Sequence, residues 1–194
     1  MRSLSEISTA EFTKDLTSDQ LRVGMIIQAA LGLGTLFFFS AVLIVAFLRQ
    51  STLANTDSVD LLTTLTLANI IMFVALSSVG QFVYRSRFSA KQLESAYSND
   101  LHDREGTIIT ATPAIKAISF IRTSMLIRTA LFEGSTFFGL AVLMIAATNG
   151  LLLSVSWLWI NVAPLIIFIA LIVFTFPTRD RLVSIFENNV NGIK

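Results

Sequence analysis

At 194 residues, with 54% hydrophobic and 14% charged residues and a mean hydropathy of +0.72, the chain is too apolar for an ordinary soluble domain and has the composition of a membrane protein. Its net charge of +1 gives no electrostatic reason to expect a nucleic-acid partner. The absence of cysteine excludes disulfides and thiolate metal sites.

Four apolar windows hold most of the hydrophobic residues: 23–47, 61–83, 123–147 and 151–176. Each exceeds the roughly 20 residues that a helix rising ~1.5 Å per residue needs to cross ~30 Å of hydrocarbon. None shows the ~10-residue alternation of a membrane barrel. The sequence therefore predicts an all-α membrane protein whose four transmembrane helices form two helical hairpins.

In chain order we expect five segments: a cytoplasmic N-terminal arm (1–22), a first transmembrane hairpin (23–84), a cytoplasmic helical loop (85–121), a second transmembrane hairpin (122–177) and an amphipathic cytoplasmic tail (178–194). The polar residues 50–60 and the tight turn Asn149-Gly150 predict short connections, which make consecutive helices antiparallel neighbours. Thr112-Pro113 predicts the capped start of a helix that extends to Ala147. The second helix is expected to continue through residues 91–97.

The tail carries apolar residues at helical spacing. Leu182, Phe186 and Val190 lie at i, i+4 and i+8, which indicates one apolar helix face. That face has two possible positions, the membrane surface or the cytoplasmic ends of the other helices. We favour the membrane surface because Arg179 and Arg181 would then lie near anionic head groups.

The cations are distributed unevenly along the chain. Thirteen of the 14 Lys and Arg residues lie in the N-terminal arm, around the central loop or in the tail, and Arg49 is the exception. Positive charge accumulates on the cytoplasmic side of membrane proteins. We therefore expect both termini and the central loop in the cytoplasm, and the chain in the cell (inner) membrane.

Part of the sequence occurs twice. Residues 22–46 and 122–146 align at an offset of 100 residues with 12 of 25 positions identical. A second match, at an offset of 94, aligns residues 82–88 with residues 176–182. Both segments contain an Arg-x-Arg pair at the end of the second helix of their hairpin. Such a pair alone can end any positive-inside helix. Together, the two matches indicate that the hairpins are duplicated.

The copies differ most where the second places a carboxylate. Glu133 replaces Leu33 about ten residues into an apolar window, where an ionised side chain costs several kcal/mol unless it is paired, hydrated or protonated. We predict that Glu133 binds a proton or a small cation. The structural alternative is a protonated Glu133 that donates a hydrogen bond to Asn69, Asn161 or a backbone carbonyl. Arg128 is a possible counter-ion. It precedes Glu133 by five residues and lies on another helix face, so we expect its side chain to extend to the cytoplasmic interface.

Small residues accompany this carboxylate. Ala130 and Gly134 share one helical face, Ala30 and Gly34 are their counterparts in the first copy, and Gly139 is a further small position. Small residues let helix backbones approach closely in lipid, where burial of apolar surface gives little driving force. We predict that these five positions pack helices together, within or between subunits.

The segment 130–142, Ala-Leu-Phe-Glu-Gly-Ser-Thr-Phe-Phe-Gly-Leu-Ala-Val, resembles the carboxylate-bearing helix of the proteolipid c subunits of rotary ATP synthases and ATPases. The resemblance implies a ring of helical hairpins in which Glu133 binds the transported proton or sodium ion and Gly134 and Gly139 are packing positions. The chain departs from that family in its long central loop, its additional arm and tail, and its lack of the family's Arg-Gln/Asn-Pro turn. These departures argue against coupling to a rotor stalk.

No phosphate-binding glycine loop, histidine cluster or nucleophile constellation occurs, and His102 stands alone in a polar loop. We therefore expect no catalytic residue, no metal site, no enzymatic activity and no cofactor other than a proton or sodium ion at Glu133. The leading hypothesis is a c-subunit-like homo-oligomer, expected to be a ring, that acts as a membrane scaffold or component of a larger complex. The alternatives are an ion-translocating subunit or channel using Glu133, and an accessory subunit of an unrelated complex. Expected partners are further copies, membrane lipids and a cytoplasmic protein at the central loop, with no nucleic acid.

Overall fold

A computed structural model describes residues 4–49, 56–98, 101–102, 108–109 and 111–191. Four helical segments are long and apolar enough to cross a membrane, which confirms the predicted all-α, multi-pass membrane protein. The α-helices are α1 (Thr9–Asp15), α2 (Ser18–Leu48), α3 (Thr56–Arg87), α4 (Ala90–Ser98), α5 (Pro113–Thr148), α6 (Ala163–Thr175) and α7 (Arg179–Phe186). The shorter elements are 3-10 segments at Leu4–Glu6 and Ser156–Val162, a π-helical turn at Glu187–Asn191, and an antiparallel pair of β1 (Leu101–His102) and β2 (Ile108–Ile109).

Helix α5 begins and ends where its capping residues predict. The hydroxyl of Thr112 accepts a backbone N–H of the first turn at 3.3 Å, and Pro113 is the first helical residue. At the other end Gly150 has a φ of 70°, and the N–H of Leu151 returns to the carbonyl of Ala146 at 2.9 Å. The predicted start at Pro113 and the predicted glycine turn are both confirmed.

The second helix differs from the prediction at both ends. Helix α3 begins at Thr56, so residues 56–60 are helical rather than loop, while residues 50–55 lie outside the described residues. The helix also ends at Arg87, and residues 91–97 belong to the separate helix α4. The reason is Phe88, whose buried ring packs edge-on against the rings of Tyr84 and Phe120 at 5.2 and 5.7 Å. This packing fixes the break between the two helices.

The fourth span is not a continuous α-helix from residue 151, as the hydropathy window predicts. Its first part, Ser156–Val162, is a 3-10 helix, and the α-helical part has 13 residues. In a 3-10 helix residues i and i+3 lie on one ridge. Leu158 and Asn161 are accordingly both buried, whereas Trp157 and Ile160 are both exposed. The tighter helix thus places Asn161 on an inward-facing ridge.

The chain forms two compact units. Unit 1 comprises Met1–Gln28, Gln81–Arg128 and Thr175–Lys194, and unit 2 comprises Ala29–Gly80 and Thr129–Phe174. Of the eleven Lys and Arg residues within the described ranges, ten belong to unit 1. In unit 2, residues 29–48 and 129–148 each provide 20 helical residues, about 30 Å of rise and one hydrocarbon thickness. Unit 2 therefore has the length and composition of a membrane-spanning bundle.

The boundary between the units falls at equivalent positions of the two repeats. In the first helix of each hairpin the boundary follows Gln28 and Arg128, which are 100 residues apart, as are residues 22–46 and 122–146. In the second helix it follows Gly80 and Phe174, which are 94 residues apart, as are residues 82–88 and 176–182. Each hairpin passes from one unit to the other at the same repeat position. This agreement is what duplicated hairpins would produce.

The tail is part of the core of unit 1. The ring of Phe186 stacks on that of Phe12 in α1, with centroids 4.2 Å apart and planes at 11°. Leu182 and Val190 are buried in the same cluster. The preference for a membrane-surface position is therefore wrong for this apolar face, because the other helices of unit 1 cover it.

In unit 2, α5 is the most buried of the spanning helices. Half of its most apolar window is buried, compared with 22% for α2, 17% for α3 and 33% for the fourth span. The buried cluster of this unit takes residues from all four spans and from the turn after α5: Val42, Ala46, Leu62, Leu140, Val142, Leu143, Ala146, Ala147, Leu151, Leu152, Leu158 and Leu165. Most side chains of α2 and α3 remain outside this core.

Candidate functional site

Glu133 is the one charged residue in the interior of a unit 2 helix among the described residues. The other charges in that part of the chain, Arg49, Asp57 and Asp60, lie at the end of α2 or in the first turns of α3. Glu133 is partly buried, and its carboxyl group forms no hydrogen bond or ion pair with another described residue. It is the fifth residue of the α5 segment in unit 2, about 6 Å of rise from the first.

The two asparagines named as possible partners of Glu133 bond to each other. The Nδ2 of Asn69 donates to the Oδ1 of Asn161 at 2.9 Å, and the Nδ2 of Asn161 donates to the Oγ1 of Thr66 at 2.9 Å. All three side chains are buried. In lipid such interhelical hydrogen bonds hold helices together because the alternative is an unpaired polar group in hydrocarbon. The amides thus join α3 to the fourth span, and within the described residues neither bonds to Glu133.

Gly139 lies directly against this amide pair. A Cβ atom at this position would be 2.8 Å from the carbonyl oxygen of Asn161 and 2.9 Å from the Nδ2 of Asn69. Both distances are shorter than any ordinary carbon contact, and one of the atoms belongs to the backbone. Only glycine lets α5 approach the pair this closely, so Gly139 packs helices within the subunit.

The other predicted packing positions have a different environment. Ala30, Gly34, Ala130 and Gly134 are all exposed, and a Cβ on Gly34 would meet no atom of another described element within 4 Å. A Cβ on Gly134 would lie 3.9 Å from the end of the Leu76 side chain. In the part of the chain that the structure describes, these four positions therefore do not pack helices tightly.

The four positions belong to a larger pattern, which we call the repeated face. It consists of Ala30, Gly34, Phe37 and Ala41 in α2 and of Ala130, Gly134, Phe137 and Ala141 in α5. The spacing of four, three and four residues places each set on one side of its helix. All eight residues are exposed, and each residue of α2 is identical to its counterpart in α5.

Arg128, which the sequence offers as a possible counter-ion of Glu133, belongs to unit 1. Its guanidinium lies over the ring of Tyr84, 5.2 Å from the centroid. Within the described residues, no three His, Cys, Asp or Glu side chains come together as metal ligands would. Glu133 therefore remains a single carboxyl group beside the repeated face.

Comparisons of the chain with protein-family models, with curated proteins and with solved structures found no match. The resemblance to the c subunits therefore rests on the residues 130–142 and on the duplicated hairpins. The sequence reasoning overlooked Thr66 as a partner of the amides, and it overlooked Phe37 and Ala41 as members of the repeated face. The face was detectable, because identical residues at a spacing of four, three and four stand out once the repeats are aligned. Thr66 gave no such signal.

Proposed function

We propose that this chain is a c-subunit-like integral membrane protein that assembles with further copies of itself, as a scaffold or a component of a larger membrane complex. The observation that carries the proposal is the repeated face, whose eight residues are exposed and pairwise identical. Identity at buried positions such as Val42 and Val142 has an explanation in the core of each subunit. Duplication alone can leave identical residues at exposed positions, and we attribute the retention of this pattern of small residues to a contact with a second copy.

Lipid alone does not account for this pattern. Hydrocarbon accepts any large apolar side chain, so it sets no requirement for the same order of alanine, glycine, phenylalanine and alanine in both repeats. Close approach of a second helix does set such a requirement, because small residues remove the steric barrier between two backbones. A phenylalanine between small residues supplies contact area for the neighbouring helix.

Two similar faces on one subunit also suit a closed assembly. If the face of α2 in one subunit packs against the face of α5 in the next, the contact is head-to-tail. Contacts of this kind generate rings when the rotation between subunits closes. The resemblance to ring-forming c subunits favours the same arrangement.

The membrane orientation is part of the proposal. Ten of the eleven described cations lie in unit 1, which supports a cytoplasmic position for this unit by the positive-inside rule. In that orientation the central loop and the tail are available to a cytoplasmic protein partner. The cell (inner) membrane suits such a protein, and the proposal includes no enzymatic activity.

The direct test is to place a leucine on the repeated face. Gly34→Leu is the cleaner variant because no atom of the other described helices lies within 4 Å of a Cβ at this position. Gly134→Leu tests the second copy but also approaches Leu76 of α3. The matched control is Ala75→Leu, which adds a similar side chain at an exposed position of α3 outside the repeated face. Native mass spectrometry and light scattering in detergent measure the copy number.

We expect both glycine variants to insert into membranes normally and to have a lower oligomer mass, whereas the control keeps the mass of the wild type. The proposal is wrong if the wild type is a monomer, or if the double glycine variant keeps the mass of the wild type. A loss of mass in the control as large as in the glycine variants would show that the effect is not specific to the repeated face.

Ion translocation is a second candidate, favoured by one observation. The carboxyl group of Glu133 has no partner among the described residues although it is partly buried in an apolar bundle. It also lies one residue before Gly134 of the repeated face. A carboxyl group in this position is free to bind a proton or a sodium ion.

The two candidates differ in what Glu133→Gln does. Glutamine keeps hydrogen-bonding capacity and removes the titratable group, so a scaffold should keep its assembly and cellular role. For ion binding, a hydrophobic carbodiimide should label Glu133 in the membrane, and added sodium or higher pH should slow the labelling. Proteoliposomes of the wild type should then pass protons or sodium, and those of the Gln variant should not. If the Gln variant forms an intact oligomer but loses its cellular role, ion translocation is the better supported of the two functions.

A further inference from the structure

A polar cleft of about 220 Å³ lies in unit 1, lined by the end of α3, one face of α4 and one face of α5. Among the described residues that line this cleft, two are basic and none is acidic. The cleft is smaller than the about 300–1,000 Å³ of pockets for drug-sized ligands, so it suits a small anionic group. Its polar lining residues are Arg87, Gln92, Ser95, Lys116, Ser119 and Thr123.

The guanidinium of Arg87 is held in one orientation. It lies over the ring of Phe120, 5.0 Å from the centroid, and its Nε–H donates to the hydroxyl of Ser124 at 2.9 Å. Its two terminal NH₂ groups form no hydrogen bond or ion pair with another described residue. Guanidinium groups bind anionic oxygens through parallel hydrogen bonds. Because Arg87 is already fixed, it loses little conformational freedom when an anion binds.

The hydroxyl groups of the cleft are also available. The side chains of Ser95, Ser119 and Thr123 form no hydrogen bond with another described residue. In contrast, the hydroxyls of Ser86 and Ser124 in the same unit donate to carbonyls of their own helices at 3.0 and 2.8 Å. The three hydroxyls of the cleft are therefore free to donate to a ligand.

We propose that this cleft binds a phosphate group. The donors are Arg87 from α3, Ser95 from α4, and Ser119 and Thr123 from α5. A phosphate monoester presents three strong acceptor oxygens in a tetrahedral arrangement, which suits donors from three helices better than a planar carboxylate does. Lys116 adds a second basic side chain to the lining, and its ammonium also donates to the carbonyl of Tyr97 at 3.0 Å.

The phosphate can belong to the head group of a phospholipid or to a soluble phosphate compound. Arg87 lies four residues after the second apolar window, and Thr123 is the first residue of the third. The cleft thus lies where polar sequence meets apolar sequence, and basic pockets at this level of membrane proteins bind phosphorylated head groups. All of its lining residues belong to unit 1, so the site is independent of Glu133 and of the repeated face.

The first test variant is Arg87→Gln, which removes the guanidinium and its charge. The matched control is Arg85→Gln, which removes an exposed arginine two positions earlier in α3 and outside the lining of the cleft. A loss of binding that depends only on net charge would affect both variants equally.

A second variant leaves the packing of Arg87 intact, because the loss of its contact with Phe120 can weaken unit 1. The double variant Ser119→Ala/Thr123→Val removes two hydroxyls of the cleft without changing the net charge. Its control is Ser86→Ala, which removes an exposed hydroxyl that donates to its own helix.

Two measurements on the full chain in detergent distinguish the two sources. In the first, native mass spectrometry counts the lipids retained from micelles that contain equal amounts of phosphatidic acid and of diacylglycerol, which lacks the phosphate. In the second, thermal unfolding is compared in inorganic phosphate and in chloride at equal ionic strength. We expect Arg87→Gln to weaken binding at least about tenfold and the double variant about fivefold, whereas both controls bind as the wild type does.

Each outcome decides the question. A preference for phosphatidic acid that both cleft variants reduce, with the controls unchanged, supports a lipid head group. A phosphate-dependent rise in the unfolding temperature that the same variants lose supports a soluble phosphate compound. The site is refuted if the wild type shows neither effect, if a folded cleft variant behaves like the wild type in both measurements, or if a control loses as much as its variant. If Arg87→Gln does not fold, the double variant and Ser86→Ala decide by the same criteria.

Discussion

Replacing Gly139 by alanine should destabilise unit 2. The new methyl group would lie 2.8 Å from the carbonyl oxygen of Asn161 and 2.9 Å from the Nδ2 of Asn69. The carbonyl belongs to the backbone of the 3-10 segment and cannot rotate away. Either α5 moves outwards or the amide of Asn69 turns and weakens its 2.9 Å hydrogen bond to Asn161.

The size of the effect follows from three contributions. Overpacking of a close-packed interior costs about 1–3 kcal/mol. Weakening one buried interhelical hydrogen bond in a membrane protein adds about 0.6 kcal/mol. Alanine offsets up to about 1 kcal/mol through its better helix propensity. We therefore expect a net loss of about 1–3 kcal/mol in the free energy of unfolding.

The matched control is Gly34→Ala, the same substitution at a helical glycine whose new methyl group would meet no other described helix within 4 Å. It should leave stability unchanged or raise it by up to about 1 kcal/mol. The two tryptophans, Trp157 and Trp159, both lie in the 3-10 segment, so their fluorescence reports on unit 2 during unfolding in mixed micelles of mild detergent and dodecyl sulfate. Equal stabilities of the two alanine variants would show that α5 does not approach the amide pair as closely as described.

Phe186→Ala should lower the stability of unit 1 by about 3–5 kcal/mol, because it empties the stack on Phe12, and proteolysis of the tail measures the change. Asn188→Ala, an exposed neighbour, should change stability by less than about 0.5 kcal/mol, and equal protease sensitivity of both variants would contradict the buried tail. For orientation, single cysteines at Ser98 and Ser184 should be protected from a membrane-impermeant thiol reagent in intact cells, whereas a cysteine at Thr56 should be labelled. Labelling at Ser98 without labelling at Thr56 would reverse the proposed orientation.

The sequence was sufficient for those features that local physical chemistry determines. Hydropathy predicts the four spans because each window is long enough for hydrocarbon, and Thr112, Pro113 and Gly150 predict the ends of α5 because capping depends on neighbouring residues alone. The division into two units was not predicted, although it falls at equivalent positions of the repeat. Gln28 and Arg128 mark the same boundary although they differ in charge.

The remaining features depend on contacts between distant segments. Asn161 was one of the possible partners named for Glu133, but it bonds to Asn69 because it lies in a 3-10 segment, which the hydropathy of the sequence does not distinguish from an α-helix. The apolar face of the tail was assigned to the membrane surface because nothing in residues 178–194 identifies Phe12 as its partner. Gly34 is exposed, whereas Gly139 lies against the amide pair, and a sequence alone does not distinguish these two environments.

The stack of Phe12 on Phe186 has a consequence for synthesis of the protein. The two rings are 174 residues apart in sequence. At roughly 5–20 residues per second, Phe12 is added to the chain about 10–35 s before Phe186. Both hairpins are translated within this interval, so the N-terminal helix acquires its partner only after the whole membrane-spanning part has been produced. A chain that stops short of α7 therefore lacks the ring that stacks on Phe12.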